Sequence, residues 1–506
     1  MNVRQGSRFL IIVGVMSATV MQVLDTTIVN VALPDMQGQL SATPDTVTWV
    51  LTSYLVASGV FMPLTGYFTD RFGQRRNLMI SILGFVVASM LCGISTSLGE
   101  IVVFRLLQGV FGAALVPLSQ SIMVQVFPVR ERGKAMAIWG IGVMVGPILG
   151  PTLGGYLTDM FSWRWTFYVN LPVGIVSFLI AWLAVPDTER RERRMDWTGF
   201  TLMACAIGGL QMVLDRGNQQ DWFSSNMILI TTLVAAGGLV GFVINGLRRP
   251  ERAIFDLRLF RDRNFALSCI LIAAVGLSLY GTLVLQPILL EHLLGYPTAT
   301  AGLIMAPRGI ASMASMFMVG RLINATGPRP LMFVGIVLAA AGTFAMTRYN
   351  LDIDPWWAIW PILLQGLGMG MIFVPLSTVA FATLDASVSA EAAGMFSLTR
   401  TIGSAVGISI VTTVFTRQTQ VAWNQLGGHL HELGGAVAHY LGGLGLSPSS
   451  PAAPALLGSE LARQASMVAM VDAFALVAWS FVVVVPLVLL LRGGRSHLQA
   501  EAAALE

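Results

Sequence analysis

The sequence predicts an all-α polytopic membrane protein of fourteen transmembrane helices, arranged as two six-helix halves with two helices inserted between them. Three observations predict it. Of the 506 residues, 55% are hydrophobic and only 11% charged, whereas a soluble domain carries about 25% charged residues. Arginines gather on alternate connections between long uncharged runs. A short motif in the first half returns in the second.

The uncharged runs place spans near 9–33, 46–69, 78–98, 101–124, 135–158, 165–185, 198–214, 226–247, 265–290, 298–320, 331–347, 356–381, 394–416 and 467–491, each long enough to cross a bilayer. The first run is a full span with no small-residue cleavage site behind it, so it reads as a membrane helix and not a cleavable signal peptide. Twelve spans remain possible only if 198–247 is misread, and both of its apolar runs are long enough to cross. Basic residues then orient the chain. One set of connections holds 22 of the 30, from Arg4 and Arg8 through Arg71, Arg75 and Arg76 to Arg492 and Arg495. The opposite set holds Arg164, Arg216, Arg348, Arg417 and Arg463. The positive-inside rule places both termini in the cytoplasm, which requires an even number of spans. Cys92, Cys205 and Cys269 all lie in apolar segments and read as packing residues.

The repeat divides the chain. Leu106-Leu107-Gln108-Gly109 and Val116-Pro117-Leu118-Ser119 return as Leu363-Leu364-Gln365-Gly366 and Val374-Pro375-Leu376-Ser377. Span 4 is thereby paired with span 12. The implied organisation is a first half over 1–185, an inserted pair with flanking loops over 186–264, and a second half over 265–506 with a long periplasmic loop at 417–466. Parallel half-repeats with a substrate site at their interface are a transporter architecture.

Charge inside a span is costly and marks function by default. Asp25 lies in span 1 and Arg105 in span 4, both in the outer half and at depths close enough to interact. Burial favours a neutral carboxyl and a nearby guanidinium favours a charged one, so this pair is the candidate proton-coupling site; a static ion pair that fixes packing is the plainer alternative. The position equivalent to Arg105 in the second half is Ile362, so the charged machinery is concentrated in the first. Arg308 follows Pro307 within span 10. It either binds substrate, pairs with an acid such as Glu291, or caps carbonyls freed by the proline. Thr26, Asn30, Gln108 and Gln365 are the other candidates for a substrate cavity. Arg400 and Asp472 are read as near span ends, where they can snorkel.

Span 5 carries Gly142, Gly146, Gly150 and Gly154 four residues apart, with Pro147 and Pro151 among them. Such a stripe lets another helix approach closely, and prolines mark bends. The segment is a candidate moving part, with plain tight packing as the alternative. The connection Gly66-Tyr67-Phe68-Thr69-Asp70-Arg71-Phe72-Gly73-Gln74-Arg75-Arg76 needs its glycines for a tight turn, and Asp70 and Arg71 are candidates to lock one conformation. His429 and His431 form a His-x-His pair without further ligands, too little for a metal site.

Other functions are excluded or disfavoured. A phosphate-binding loop needs Gly-Lys-Ser/Thr, and the chain's one lysine, Lys134, is followed by Ala135. No nucleophile–base or metal cluster points to an enzyme, and no added soluble domain points to a sensor. A proton-coupled transporter of one dedicated metabolite, exporter or importer, stays open.

These motifs resemble a known family. Gly66-x-x-x-Asp70-Arg71-x-Gly73-x-Arg75-Arg76 is similar to the signature loop of the major facilitator superfamily, and Arg105-x-x-Gln108-Gly109 to its span-4 motif. The run from Gly142 through Gly146-Pro147 to Gly154-Gly155 resembles the motif of its antiporters. Leu24-Asp25-Thr26-Thr27-Ile28-Val29-Asn30, Trp163-Arg164-Trp165-x-Phe167-x-x-Asn170 and Leu214-Asp215-Arg216-Gly217 resemble the EmrB-like group of fourteen-span drug:proton antiporters. The resemblance implies proton-driven export of lipophilic drugs across a bacterial inner membrane by alternating access, with protons as coupling ion and no cofactor. It also implies a periplasmic adaptor (EmrA-like) and a TolC-type outer-membrane channel as partners. By matching position, Asp25 and Arg105 would serve proton coupling, and Asp70, Arg71 and Gly73 the cytoplasmic gate. The second-half loop Gly320-Arg321 to Gly327-Pro328-Arg329 lacks the acid of the first, which departs from symmetrical gating.

Overall fold

The computed structural model describes residues 5–128, 131–190, 195–248, 254, 256–385, 388–428, 435–443, 450 and 452–491. Among them are helices but no strands, and 14 helices are long and apolar enough to cross a membrane. Spans 1 to 6 are Arg8–Gln39, Trp49–Phe72, Gln74–Ile94, Leu98–Val126, Arg132–Met160 and Trp165–Ala184. Spans 7 and 8 are Trp197–Arg216 and Asn226–Arg248. Spans 9 to 14 are Arg263–Leu293, Thr300–Thr326, Pro328–Met346, Pro355–Ala380, Ser389–Gly427 and Ala453–Leu490. The face on which span 1 begins and span 14 ends is called the basic side below, and the opposite face the far side.

Prolines explain the irregular turns. Span 2 tightens to a 3-10 turn at Met62–Leu64, around Pro63. Span 4 breaks at Ala113 and Ala114, where the ring of Pro117 displaces the carbonyl four residues back. Span 9 widens into a π-helix at Ile288–Leu293, directly after Pro287. Span 5, by contrast, stays helical through Pro147 and Pro151.

The glycine stripe of span 5 is the surface on which span 1 rests. A Cβ added to Gly146 would stand 2.6 Å from Val23 Cγ1 and 2.8 Å from the Leu24 nitrogen. One added to Gly154 would stand 2.8 Å from the Ile28 carbonyl oxygen. Real side chains do not approach so closely, so only glycine permits this contact. Thr27 Oγ1 then donates to the Gly146 carbonyl at 3.0 Å across the same seam. Span 1 is thereby held against span 5 on both sides of Asp25.

Spans 7 and 8 pack on each other, and span 7 lies along span 2. The Asp215-Arg216 pair does the fastening: Thr52 of span 2 donates to the Asp215 carboxylate, and the Arg216 guanidinium lies 4.6 Å from the Trp49 ring centre. Asn218 reaches Thr416 of span 13 at 3.3 Å. The inserted pair therefore flanks the place where spans 2 and 13 meet.

Contacts between the halves gather toward the basic side. Ser121 and Ser389 hydroxyls are 2.9 Å apart, and Gln125 Nε2 donates to Ser389 at 2.7 Å. Arg132 donates to the Phe381 carbonyl at 3.1 Å. A Cβ on Gly66 would meet Glu391 Cβ at 2.8 Å. Deeper, Trp139 stacks on Phe373 with ring centres 5.6 Å apart. The protein is closed on its basic side, while Asn30 in the far half of span 1 is exposed.

The segment 417–466, read from the sequence as a loop, is largely helical where it is described. Span 13 has 39 residues and span 14 has 38. At 1.5 Å per residue each is on the order of 58 Å long, nearly twice the ~30 Å hydrocarbon layer. Both helices continue beyond it on the far side, and a short helix, Gly435–Gly443, lies between them. The apolar runs end near 416 and begin again near 467 because these extensions are polar, which is a change of environment and not of backbone. His429 and His431 lie outside the described residues.

Two outcomes follow from this packing. Gly146→Val forces spans 1 and 5 apart and should cost about 1–3 kcal/mol, read as a lower melting temperature of the purified protein. Cysteines replacing Ser121 and Ser389 should form a disulfide on mild oxidation, the hydroxyls being near enough for its geometry, and the bridged protein should stop transporting until it is reduced.

Candidate functional site

Asp25 meets Arg105 directly. Arg105 Nη1 donates to Asp25 Oδ2 at 2.6 Å. The other oxygen, Oδ1, accepts from Gln108 Nε2 at 2.9 Å and from Asn170 Nδ2 at 2.8 Å. Arg105 also donates to Gln108 Oε1 at 2.8 Å and to the Val50 carbonyl at 3.0 Å. Its guanidinium carbon is 4.3 Å from the Tyr54 ring centre. Asn170 continues to Ser89 at 3.0 Å, and Gln22 donates to the Tyr54 hydroxyl at 2.8 Å. Asp25, Arg105, Gln108 and Asn170 are each at most 1% exposed. Spans 1, 2, 3, 4 and 6 all contribute.

Both charges are out of water, which is tolerable only when hydrogen bonds satisfy the ions on all sides. Here Arg105, Gln108 and Asn170 each aim a donor at the carboxylate. Oδ1 accepts two of these hydrogen bonds and Oδ2 accepts one.

The other candidate residues are distributed as follows. Gln108, taken from the sequence as a cavity residue, is instead committed at both ends of its amide to the Asp25 cluster. Thr26 is half-buried and returns its hydroxyl to the Val23 carbonyl, and the Asn30 amide donates to the Thr26 carbonyl. Gln365 is buried and donates to Thr282 at 3.0 Å and Thr343 at 3.1 Å, joining spans 9, 11 and 12. Arg308 is buried and donates to Gln286 of span 9; its described partner is not Glu291. Asp70 is half-buried and Arg71 exposed at the basic end of span 2. Gly73 turns the chain there with φ +85°, and Gly327 repeats that turn with φ +81°. Only glycine adopts this region without strain.

Arg400 borders span 9. It lies eleven residues into span 13, on the order of 17 Å from its start. It is half-buried beside Tyr280 of span 9. Asn170, Ser89 and Tyr54 were not singled out as site residues. Asn170 stands in the Trp163–Asn170 motif, which was the one available signal. Among the described residues no three or more His, Cys, Asp or Glu side chains are grouped to hold a metal.

Fourteen spans, a halved repeat and a buried Asp–Arg cluster can be set beside known proteins. The description of the Major Facilitator Superfamily matches residues 15–408. The chain belongs to the major facilitator superfamily. It is 36% identical to the fatty acid resistance protein FarB of Neisseria gonorrhoeae, over 95% of this chain and 96% of that one. It is 34% identical to the multidrug export protein EmrB of Escherichia coli (strain K12), over 96% of this chain and 95% of that one. Among solved structures, the human organic anion transporter MFSD10 (TETRAN) superposes with a TM-score of 0.60 at 15% identity, covering 94% of this chain and all of that one. That last likeness speaks to fold alone. Membership makes this chain a multi-pass membrane transporter and sets the enzyme reading aside.

Removing Arg105 would leave Asp25 buried without its counter-charge. Arg105→Gln should cost about 3–5 kcal/mol, seen as a large drop in melting temperature. Adding Asp25→Asn to that variant removes the stranded charge and should restore part of the loss.

Proposed function

We propose that this protein exports lipophilic drugs and toxic compounds in exchange for protons, by alternating access across a bacterial inner membrane. The basic side is then the cytoplasmic face, with both termini there. The observation that carries the reading is the buried carboxylate of Asp25, held by Arg105, Gln108 and Asn170 beside the contact between spans 1 and 5. The names of the relatives, a multidrug export protein and a fatty acid resistance protein, support an export role.

Asp25 is positioned to link protonation with movement. Leu24 and Thr27, its neighbours on span 1, touch Gly146 and Gly150 of span 5. Span 5 in turn packs on span 10 of the second half, with Gly140 against Met316 and Gly320 against Ala137. Opening a contact of the Asp25 cluster thus disturbs the helix that borders the other half. Protonation from the far side weakens substrate binding and favours return of the empty carrier. Deprotonation toward the cytoplasm restores the ion pair. Gly146, Pro147, Gly150 and Pro151 serve in this scheme as the bearing on which span 1 shifts. Asp70, Arg71 and Gly73 hold the cytoplasmic closure.

Assembly with a periplasmic adaptor (EmrA-like) and a TolC-type channel belongs to the same proposal. The helical extension of spans 13 and 14 supports it, since it reaches past the membrane on the far side and exposes Val421, Trp423, Leu426 and Tyr440. Exposed aromatic and aliphatic side chains outside lipid mark contact surfaces.

The test uses proteoliposomes with an imposed pH gradient. Lumen pH is followed while lipophilic compounds are added, for wild type and Asp25→Asn. Substrate-triggered proton movement in wild type, lost in the variant, is the expected result. Flux that persists in the variant moves the coupling to another acid. If active protein responds to no lipophilic compound, a transporter of one dedicated metabolite becomes the better account.

A further inference from the structure

The second half holds an altered copy of the Asp25 cluster. The offset of 257 residues that relates Gln108 to Gln365 also takes Asp25 to Thr282 and Arg105 to Ile362. The repeated contact survives: Gln365 Nε2 donates to Thr282 at 3.0 Å, as Gln108 Nε2 donates to Asp25 at 2.9 Å. The carboxylate and its arginine do not.

A different arginine enters this cluster. Arg308 comes from span 10 and donates through Nη2 to Gln286 Oε1. Gln286 follows Thr282 by four residues on span 9, one turn along the same face. Arg308 is 7% exposed, and its Nε and Nη1 have no hydrogen-bond partner among the described residues. No acid pairs with it among them. Gln286, Thr282, Thr343 and Gln365 are all neutral, and the nearby Tyr349 hydroxyl is spent on the Ala358 carbonyl at 3.1 Å. Arginine keeps its charge at neutral pH, so a guanidinium stands here out of water without a counter-ion. That is a strongly unfavourable arrangement, and in the first half Asp25 is what relieves it.

The cluster borders the seam between the halves. The next residue, Gly309, packs directly on Ile148 of span 5. A rocking motion that parts spans 5 and 10 there exposes this turn of span 10.

We propose that Arg308 forms an anion site, filled from outside the chain by a monovalent anion. That anion is either a free halide or the ionised acid group of a transported lipophilic compound. The second source rests on the exporter reading above, and the first does not. The site replaces the internal carboxylate of the first half with an exchangeable one.

The melting temperature of the purified full-length protein in detergent tests this, since a ligand of the folded state raises it by mass action. Sodium chloride or sodium benzoate is added against sodium gluconate at constant ionic strength, with methyl benzoate as the uncharged control. A saturable rise with chloride or benzoate, and none with methyl benzoate, is the expected result. Chloride alone assigns the free halide, and benzoate assigns the acid group of a carried compound. Arg308→Gln should raise the half-saturating concentration about tenfold or more, the scale of a hydrogen bond to a charged group. Gln286→Glu supplies a carboxylate already in contact with Arg308 and should abolish the dependence on added anion; it decides the matter if Arg308→Gln does not fold. No saturable rise in wild type, or a rise unchanged in both variants, overturns the proposal. No proton gradient is present, so a failure here leaves the antiport reading to its own test.

Discussion

The removal of Asp25 and Arg105 from water is the constraint on which the first half depends. Two buried charges in contact are stable only if every remaining donor and lone pair is met. Four spans supply partners: the Val50 carbonyl and Tyr54 ring from span 2, Ser89 from span 3, Gln108 from span 4, and Asn170 from span 6. The first half is therefore assembled around one carboxylate. The glycine stripe of span 5 meets a second requirement of the same residue. Span 1 must lie deep in the bundle for Asp25 to reach its partners, and Gly146 and Gly150 give the room.

The halves share a backbone and differ in charge. The turns at Gly73 and Gly327 have nearly the same positive φ, and Gln108 and Gln365 keep equivalent contacts. Similar backbone geometry suits two six-helix units that rock against each other as similar bodies, which the proposed alternating access requires. Charge is free to diverge, because each buried ion needs only its own local shell. The Asp–Arg pair remained in one half, and a lone buried arginine stands in the other.

How far the sequence could be read follows from what hydropathy measures. Asp25 and Arg105 stood out because charge in an apolar run is rare and expensive, and their equivalent depth followed from span counting. Asn170, Ser89 and Tyr54 did not, since neutral polar residues are common in membrane helices and nothing local shows which of them faces an ion. Gln108 was recognised but assigned to a cavity; its repeat, Gln365, shows the same inward commitment, and a span-4 position one turn beyond Arg105 had to share its face. The segment 417–466 was read as a loop for one reason. An apolar window ends where the lipid ends, but the helix of span 13 starts before it and runs past it.

Closure of the basic side uses a different chemistry from that of the Asp25 cluster, and the difference bears on how such a carrier moves. Within the first half the decisive contact is an ion pair with a full set of donors. Between the halves the described polar contacts include a pair of serine hydroxyls, one glutamine amide and one arginine on a backbone carbonyl, beside glycines packed on backbone. Each neutral hydrogen bond of this kind contributes about 0.5–1.5 kcal/mol net, and its groups find water when the seam opens. Buried ions placed at the seam would make opening far more costly, because each would have to be rehydrated or left unpaired. Strong contacts inside a half and weak ones between halves are what a rocking mechanism requires. Asp25 itself lies inside a half but one helix away from the seam, so that under the proposed antiport the state of its proton would act on the packing of span 5 without any charge having to cross the gate.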